Sequence, residues 1–235
     1  LIPKSDQKFY TEKIIYMPNC YQCQDNKKII ANESLCRSDL NLPETGFIFT
    51  CLNANYKIRP EEFKIWMKLL SEIKGSILWL LNSNELAVDN LCNSAESMDI
   101  SPKRLIFAKQ MTLKNHLQRL SYGDLALDTF NVNGHTSTSD ALWAGLPVLT
   151  KIGNTFTSRV SASLLNNLGI QELITYKKEE YFEMAVKIAK NPRLLTKIKE
   201  KLKLATNNST LFNSKLYAIN LESKFKEILL KKNMN

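Results

Sequence analysis

Ten residues, Asn-Val-Asn-Gly-His-Thr-Ser-Thr-Ser-Asp at 131–140, follow the apolar run Leu125-Ala126-Leu127-Asp128 and hold one of the two histidines of the chain. A strand that gives way to a helix at His135-Thr136-Ser137 leaves main-chain N–H groups unpaired, turns the positive end of the helix dipole outward and adds two hydroxyls. Such a corner suits a phosphate. Gly134 lets the backbone approach a ligand closely. Asp140, about one and a half turns on, can accept hydrogen bonds from sugar hydroxyls. A plain helix cap by Thr136 or Ser137, with His135 as a polar loop residue, fits the same pattern, and the residues alone leave both readings open.

A second loop, Asn-Ala-Asn-Tyr-Lys-Ile after the apolar run Phe47–Leu52, places Asn53, Asn55 and Lys57 at the end of a strand. A fixed ammonium at Lys57 beside a diphosphate would stabilise the charge that builds on a leaving group; a surface lysine is the alternative. His116 and Arg119, three apart, share one face of a helix and can stack on and hydrogen-bond a base, or stand in solvent. No Gly-x-Gly occurs, which removes both the dinucleotide fingerprint and a phosphate-cradling loop of the P-loop kind.

The elements that would position these residues follow from the pattern of apolar runs. From residue 46 onward, short continuous apolar stretches (47–52, 76–81, 104–108, 125–128, 147–150, 172–176) alternate with segments of helical spacing. Strands that are apolar on both faces, separated by helices, predict a parallel sheet covered on each side, a doubly wound α/β fold. Ligands of such sheets bind beyond the carboxyl ends of the strands, where both loops lie. Residues 1–45 are expected to form a strand around residues 12–22 and then a polar linker; 46–176 form the α/β domain; 177–235 form long amphipathic helices split by Thr-Asn-Asn-Ser-Thr-Leu-Phe-Asn.

Composition narrows the field further. The 235 residues, 44% hydrophobic, suffice for one substantial core. The net charge of +9 comes largely from lysines spread along the C-terminal helices, a pattern of solvated faces; no nucleic-acid partner is expected, although a basic RNA-binding α/β protein is the third reading. No run approaches the about 18 apolar residues needed to cross a bilayer, so no membrane partner is expected. The chain begins without methionine and without a signal-peptide pattern, which suggests a fragment. Five scattered cysteines, Cys20, Cys23, Cys36, Cys51 and Cys92, point to reduced thiols in a cytoplasmic setting. The Cys20/Cys23 pair lacks the partners of a metal site and opens no helix as redox pairs do.

Taken together, the stretches 9–22, 55–70, 76–81, 125–150 and 157–165 resemble the glycosyltransferase family of protein O-GlcNAc transferase and the Spindly-type O-fucosyltransferases. The Asn-Gly-His-Thr segment with its following Asp-x-Leu-Trp-Ala-Gly-x-Pro carries most of that likeness. The resemblance implies the C-terminal, Rossmann-like half of a GT-B glycosyltransferase that takes a nucleotide sugar, UDP-GlcNAc foremost, and glycosylates Ser or Thr of proteins. It implies Lys57 on the departing diphosphate, Asn133, Gly134, His135, Thr136 and Ser137 around the phosphates, Asp140 on the ribose, His116 and Arg119 on the base, Asn53 or Asn55 in place of a family glutamine that aligns with Ala54, and no metal or other cofactor. A family lysine aligns with Leu113, which leaves GDP-fucose open as the donor. The N-terminal catalytic half and the repeats that present protein acceptors are expected outside this chain, and the chain alone to be inactive. A non-catalytic nucleotide-sugar-binding or interaction module on the same fold is the competing reading.

Overall fold

We describe residues 1–233 from a computed structural model of the chain. Six parallel strands, β1 (Ile48–Cys51), β2 (Ile77–Leu81), β3 (Leu105–Ala108), β4 (Leu125–Leu127), β5 (Val148–Lys151) and β6 (Ile174–Thr175), form one sheet in the order β3-β2-β1-β4-β5-β6. The register pairs Phe49 with Leu78 on one side and with Leu125 on the other. β1 is buried along its whole length, which is why the run carries no polar alternation. The chain therefore winds outward from β1 to β3, returns to β4 beside β1, and winds outward again to β6. Neighbouring connections leave the sheet in opposite directions between β1 and β4, the switch point at whose carboxyl edge the ligand crevice of a doubly wound sheet is expected.

Eight α-helices accompany the sheet among the described residues: α1 (Pro60–Glu72), α2 (Glu85–Glu96), α3 (Leu113–Leu120), α4 (Thr136–Trp143), α5 (Val160–Asn167), α6 (Lys178–Ala189), α7 (Pro192–Asn208) and α8 (Ser214–Asn233). α1 opens on Pro60, whose fixed φ and missing N–H suit a first helical position, and it buries Phe63, Trp66, Met67, Leu69 and Leu70 at helical spacing. α1 packs against α6 and α3 against α4. Tyr181 of α6 meets Phe130 edge-on with ring centroids 5.1 Å apart, just beyond the end of β4. A second apolar cluster sets Leu40 and Leu42 against Ile48, Ile77 and Trp79.

Two local expectations are corrected. The β-branched run Ile14-Ile15 forms no strand and has no ladder partner among the described residues. The first C-terminal helix is two, because Asn191 accepts a hydrogen bond from Leu194 N–H (3.0 Å) and caps a new helix that begins at Pro192; α7 then continues through Asn208. Residues 234 and 235 of that segment lie outside the described residues. On α8, Ile219, Phe225, Leu229 and Leu230 are each more than half exposed. None of the described helices is long and apolar enough to cross a membrane, and all five cysteines are free thiols.

Candidate functional site

The two loops singled out from the sequence leave β1 and β4, the strands that flank the crevice. After β1, a single 3-10 turn, Asn55–Lys57, folds Lys57 back so that its Nζ lies 3.1 Å from the carbonyl oxygen of Asn133. Seventy-six residues apart in sequence, the two loops form one corner. Asn53 is buried there and its Oδ1 accepts from the Ser137 hydroxyl. Asn53, Lys57, Asn133, Gly134, His135 and Ser137 are thus brought together.

The helix itself is uncapped. His135 occupies the position before α4 with φ −98° and ψ −83°, and no side chain accepts from the first-turn N–H groups. The Ser137 hydroxyl is spent on Asn53 rather than on its own helix. Thr136 is exposed on the first turn. The open N–H groups and the dipole end are what an anion needs. Gly134 is required here for space rather than for φ: a Cβ would stand 2.5 Å from Thr138 Oγ1, 2.7 Å from Ser137 Oγ and 3.1 Å from Asn53 Oδ1.

What holds the corner is a residue that the sequence reading passed over. Asp128 ends β4 fully buried; one carboxylate oxygen accepts from the N–H groups of Gly134 (2.7 Å) and Thr129 (3.0 Å), and the other from the Thr150 hydroxyl on β5 (2.7 Å). Burial pushes this carboxyl above its ordinary range, against the pull of those donors. Asn133 adds a second brace: its amide donates to Thr129 O (2.7 Å) and its oxygen accepts from Ser161 N–H (3.3 Å).

α3 supplies the flank. Arg119 is buried, stacks 6.0 Å from the Trp79 ring, donates to the Lys109 carbonyl, and directs Nε (3.1 Å) and Nη2 (2.8 Å) at Nδ1 of His116. An Nδ1 that accepts leaves the proton on Nε2. Burial and the adjacent Arg119 guanidinium push the imidazole down to about 4, so His116 is a neutral donor at neutral pH. His135 is also lowered, first by burial and then by the Lys57 charge. His116, Asn53, Asp128 and Ser137 line one small cavity behind the corner.

Asn55 is not part of this group. Its Oδ1 accepts from Ser83 (2.9 Å) in the loop before α2. Asp140 lies on α4 one turn beyond Thr136 and is engaged by Lys28, a residue with no role in the sequence reading. The polar stretch from Gln24 to Leu35 is not a free linker but lies against α3 and α4: Gln24 accepts from Ser139, Ala31 N–H donates to Lys114 O (3.1 Å), and Gln118 donates to Glu33 O (2.6 Å). Tyr21, just before it, brings its hydroxyl within 3.3 Å of His135 Nδ1.

The family model described as glycosyl transferase family 41 matches residues 28–221, a span that includes both loops, α3 and the corner. The chain belongs to glycosyl transferase family 41. Among its relatives, the probable UDP-N-acetylglucosamine–peptide N-acetylglucosaminyltransferase SEC of Arabidopsis thaliana is 33% identical over 222 residues, 92% of this chain and 23% of that protein. The UDP-N-acetylglucosamine–peptide N-acetylglucosaminyltransferase of Caenorhabditis elegans is 32% identical over 186 residues, 79% of this chain and 16% of that protein. This family 41 chain thus spans less than a quarter of either relative. Its fold is that of the solved Thermobaculum terrenum O-GlcNAc transferase, with a TM-score of 0.81 at 24% identity over 96% of this chain and 43% of that one. It also resembles the glycosyltransferase WaaG (TM-score 0.64, 15% identity, 93% of this chain and 58% of that one).

Proposed function

We propose that this chain is the nucleotide-sugar-binding half of a protein glycosyltransferase that transfers a sugar, GlcNAc from UDP-GlcNAc, to Ser or Thr hydroxyls. The observation that carries the reading is the meeting of Lys57 with the uncapped start of α4 across the β1/β4 crevice. A pyrophosphate seated there would accept from the N–H groups of the first turn of α4 and face the Lys57 ammonium. The charge that grows on the diphosphate as the glycosidic bond breaks is then met by groups already in place, and those groups do the charge-neutralising work that a metal does in other transferases. His116, neutral and oriented by Arg119, offers an N–H at the base end, and Asp140 an acceptor for the ribose. The names of both curated relatives support the donor and the protein acceptor.

Calorimetric titration with UDP, GDP, UDP-GlcNAc and GDP-fucose tests this. The expected result is saturable binding of UDP and UDP-GlcNAc at one site, weakened about tenfold or more by Asp140→Ala, the loss that 1.4 kcal/mol represents. Binding of the guanine nucleotides alone would move the donor to GDP-fucose, and binding without any transfer by the complete protein would make this a nucleotide-sugar-binding module.

A further inference from the structure

Lys28 and Asp140 are 112 residues apart in sequence, and their side chains meet at 2.6 Å with only 7% of each exposed to solvent. A buried ion pair has to recover the desolvation of two charges and is seldom kept for stability alone. The lysine does not arrive on a loose arm. Its segment is fastened on either side, by Gln24 to Ser139 of α4, by Ala31 to Lys114 of α3, and by Glu33 and Leu35 to Gln118 and Tyr122. These anchors fix where the ammonium sits relative to the α3/α4 pair.

The pair is also one-sided. Lys28 takes Oδ1 of Asp140, and the second oxygen has no partner among the described residues. Asp140 shares a helix face with Thr136, one turn nearer the open end of α4. Its charge reaches His116 across the α3/α4 contact. We propose that Lys28 is a positioning residue for the nucleotide ribose: it holds one oxygen of Asp140 and leaves the other as the acceptor for a ribose hydroxyl. The inference rests on the nucleotide-binding reading above and adds a residue outside both loops.

The experiment is a calorimetric comparison of UDP with 2′,3′-dideoxy-UDP, with GDP and its dideoxy analogue in parallel, on the unaltered protein, Lys28→Met, Lys28→Arg, Asp140→Asn and the double variant Lys28→Met/Asp140→Asn. Lys28→Met should lower ribonucleotide affinity about tenfold and leave dideoxynucleotide affinity within about twofold, while Lys28→Arg keeps most of the discrimination. In the Asp140→Asn background, Lys28→Met should have no further effect, because the lysine acts through that carboxylate. This double variant buries no unpaired charge and keeps the test open if Lys28→Met unfolds on heating at a temperature below that of the assay. Equal losses for both nucleotide types, a Lys28 effect that persists once Asp140 is replaced, or tighter ribonucleotide binding by Lys28→Met would each overturn the inference while leaving the nucleotide site intact. Failure of the unaltered protein to bind any of the four nucleotides would overturn the function as well.

Discussion

The ammonium of Lys57, at the end of a one-turn 3-10 segment after β1, lies 3.1 Å from the carbonyl of Asn133 at the end of the loop after β4. The lysine holds the far loop of the crevice by its main chain. A pyrophosphate at the start of α4 would be a stronger partner for this ammonium than a neutral carbonyl. If the contact strengthens as charge builds on the leaving group, Lys57→Ala in the complete enzyme should lower kcat by about 10² to 10³, the cost of deleting one stabilising donor, with donor affinity reduced much less. Steady-state kinetics beside UDP titration separates the two; an unchanged kcat would remove Lys57 from the chemistry.

Asp128 makes a prediction about stability rather than rate. Its two oxygens accept from Gly134, Thr129 and Thr150, so Asp128→Ala strands three buried donors, each worth about 1–3 kcal/mol when unsatisfied. A loss of at least about 2 kcal/mol in denaturant unfolding is expected, with nucleotide affinity falling because Gly134 and His135 lose their anchor. Asp128→Asn should lie between, since its amide can accept from one side and must donate toward the other. A midpoint for Asp128→Ala unchanged from the unaltered protein would count against this account of the corner.

Much of this was legible in the sequence for a definite reason. Strands buried on both faces leave continuous apolar runs, and β1 to β6 stand out from the helical segments between them. The loops after β1 and β4 were legible as ligand-edge loops because the rule for doubly wound sheets is local to each strand end. That they come from adjacent strands was not: the Phe49–Leu125 pairing is a tertiary choice that no nearby residue encodes. Asp128 was overlooked because a lone acid after an apolar run looks the same whether it enters solvent or braces a turn. Lys28 lies in a stretch so polar, Asp-Asn-Lys-Lys, that composition signals a solvated linker; only the fold shows the ammonium buried on Asp140. The run at Ile14-Ile15 has strand propensity without a sheet edge to join, whereas the break at Asn191-Pro192 carried a readable signature, a capping Asn followed by a proline at the first helical position.

Gly134→Ala isolates the geometry of the corner from its charge. The new methyl would fall 2.5 Å from Thr138 Oγ1 and 2.7 Å from Ser137 Oγ, closer than any packed carbon tolerates, so these two hydroxyls have to turn away and give up their partners Ser161 and Asn53. Overpacking of this kind costs about 1–3 kcal/mol. Because the displaced atoms belong to the first turn of α4, UDP affinity should drop about tenfold or more. Gly145→Ala, at a position with φ of +81° but open space around the Cβ, is the control: it should destabilise the protein through backbone strain and leave affinity per folded molecule unchanged.

Stability, unlike binding, should respond to pH below about 6.5. His116 is pushed down from 6.5 to about 4 by burial and the Arg119 guanidinium, so its value in the folded chain is below that in the unfolded chain. Between pH 6.5 and 4 the unfolded chain therefore binds more protons than the folded one, and stability rises with pH through that window. The contribution of the neutral ring is complete above about pH 6.5 and is lost progressively as pH falls toward 4. Its slope should be shallower than the about 1.4 kcal/mol per pH unit of a full proton difference, because the ring keeps some solvent contact. His116→Gln should flatten this part of the stability profile measured by denaturant unfolding. With Arg119 on Nδ1 and the proton on Nε2, nucleotide affinity should not respond to His116 between pH 6.5 and 8. An inflection near 6.5 that disappears in His116→Gln would show instead that the ring is charged in the site, and would reassign it from the base to the phosphates.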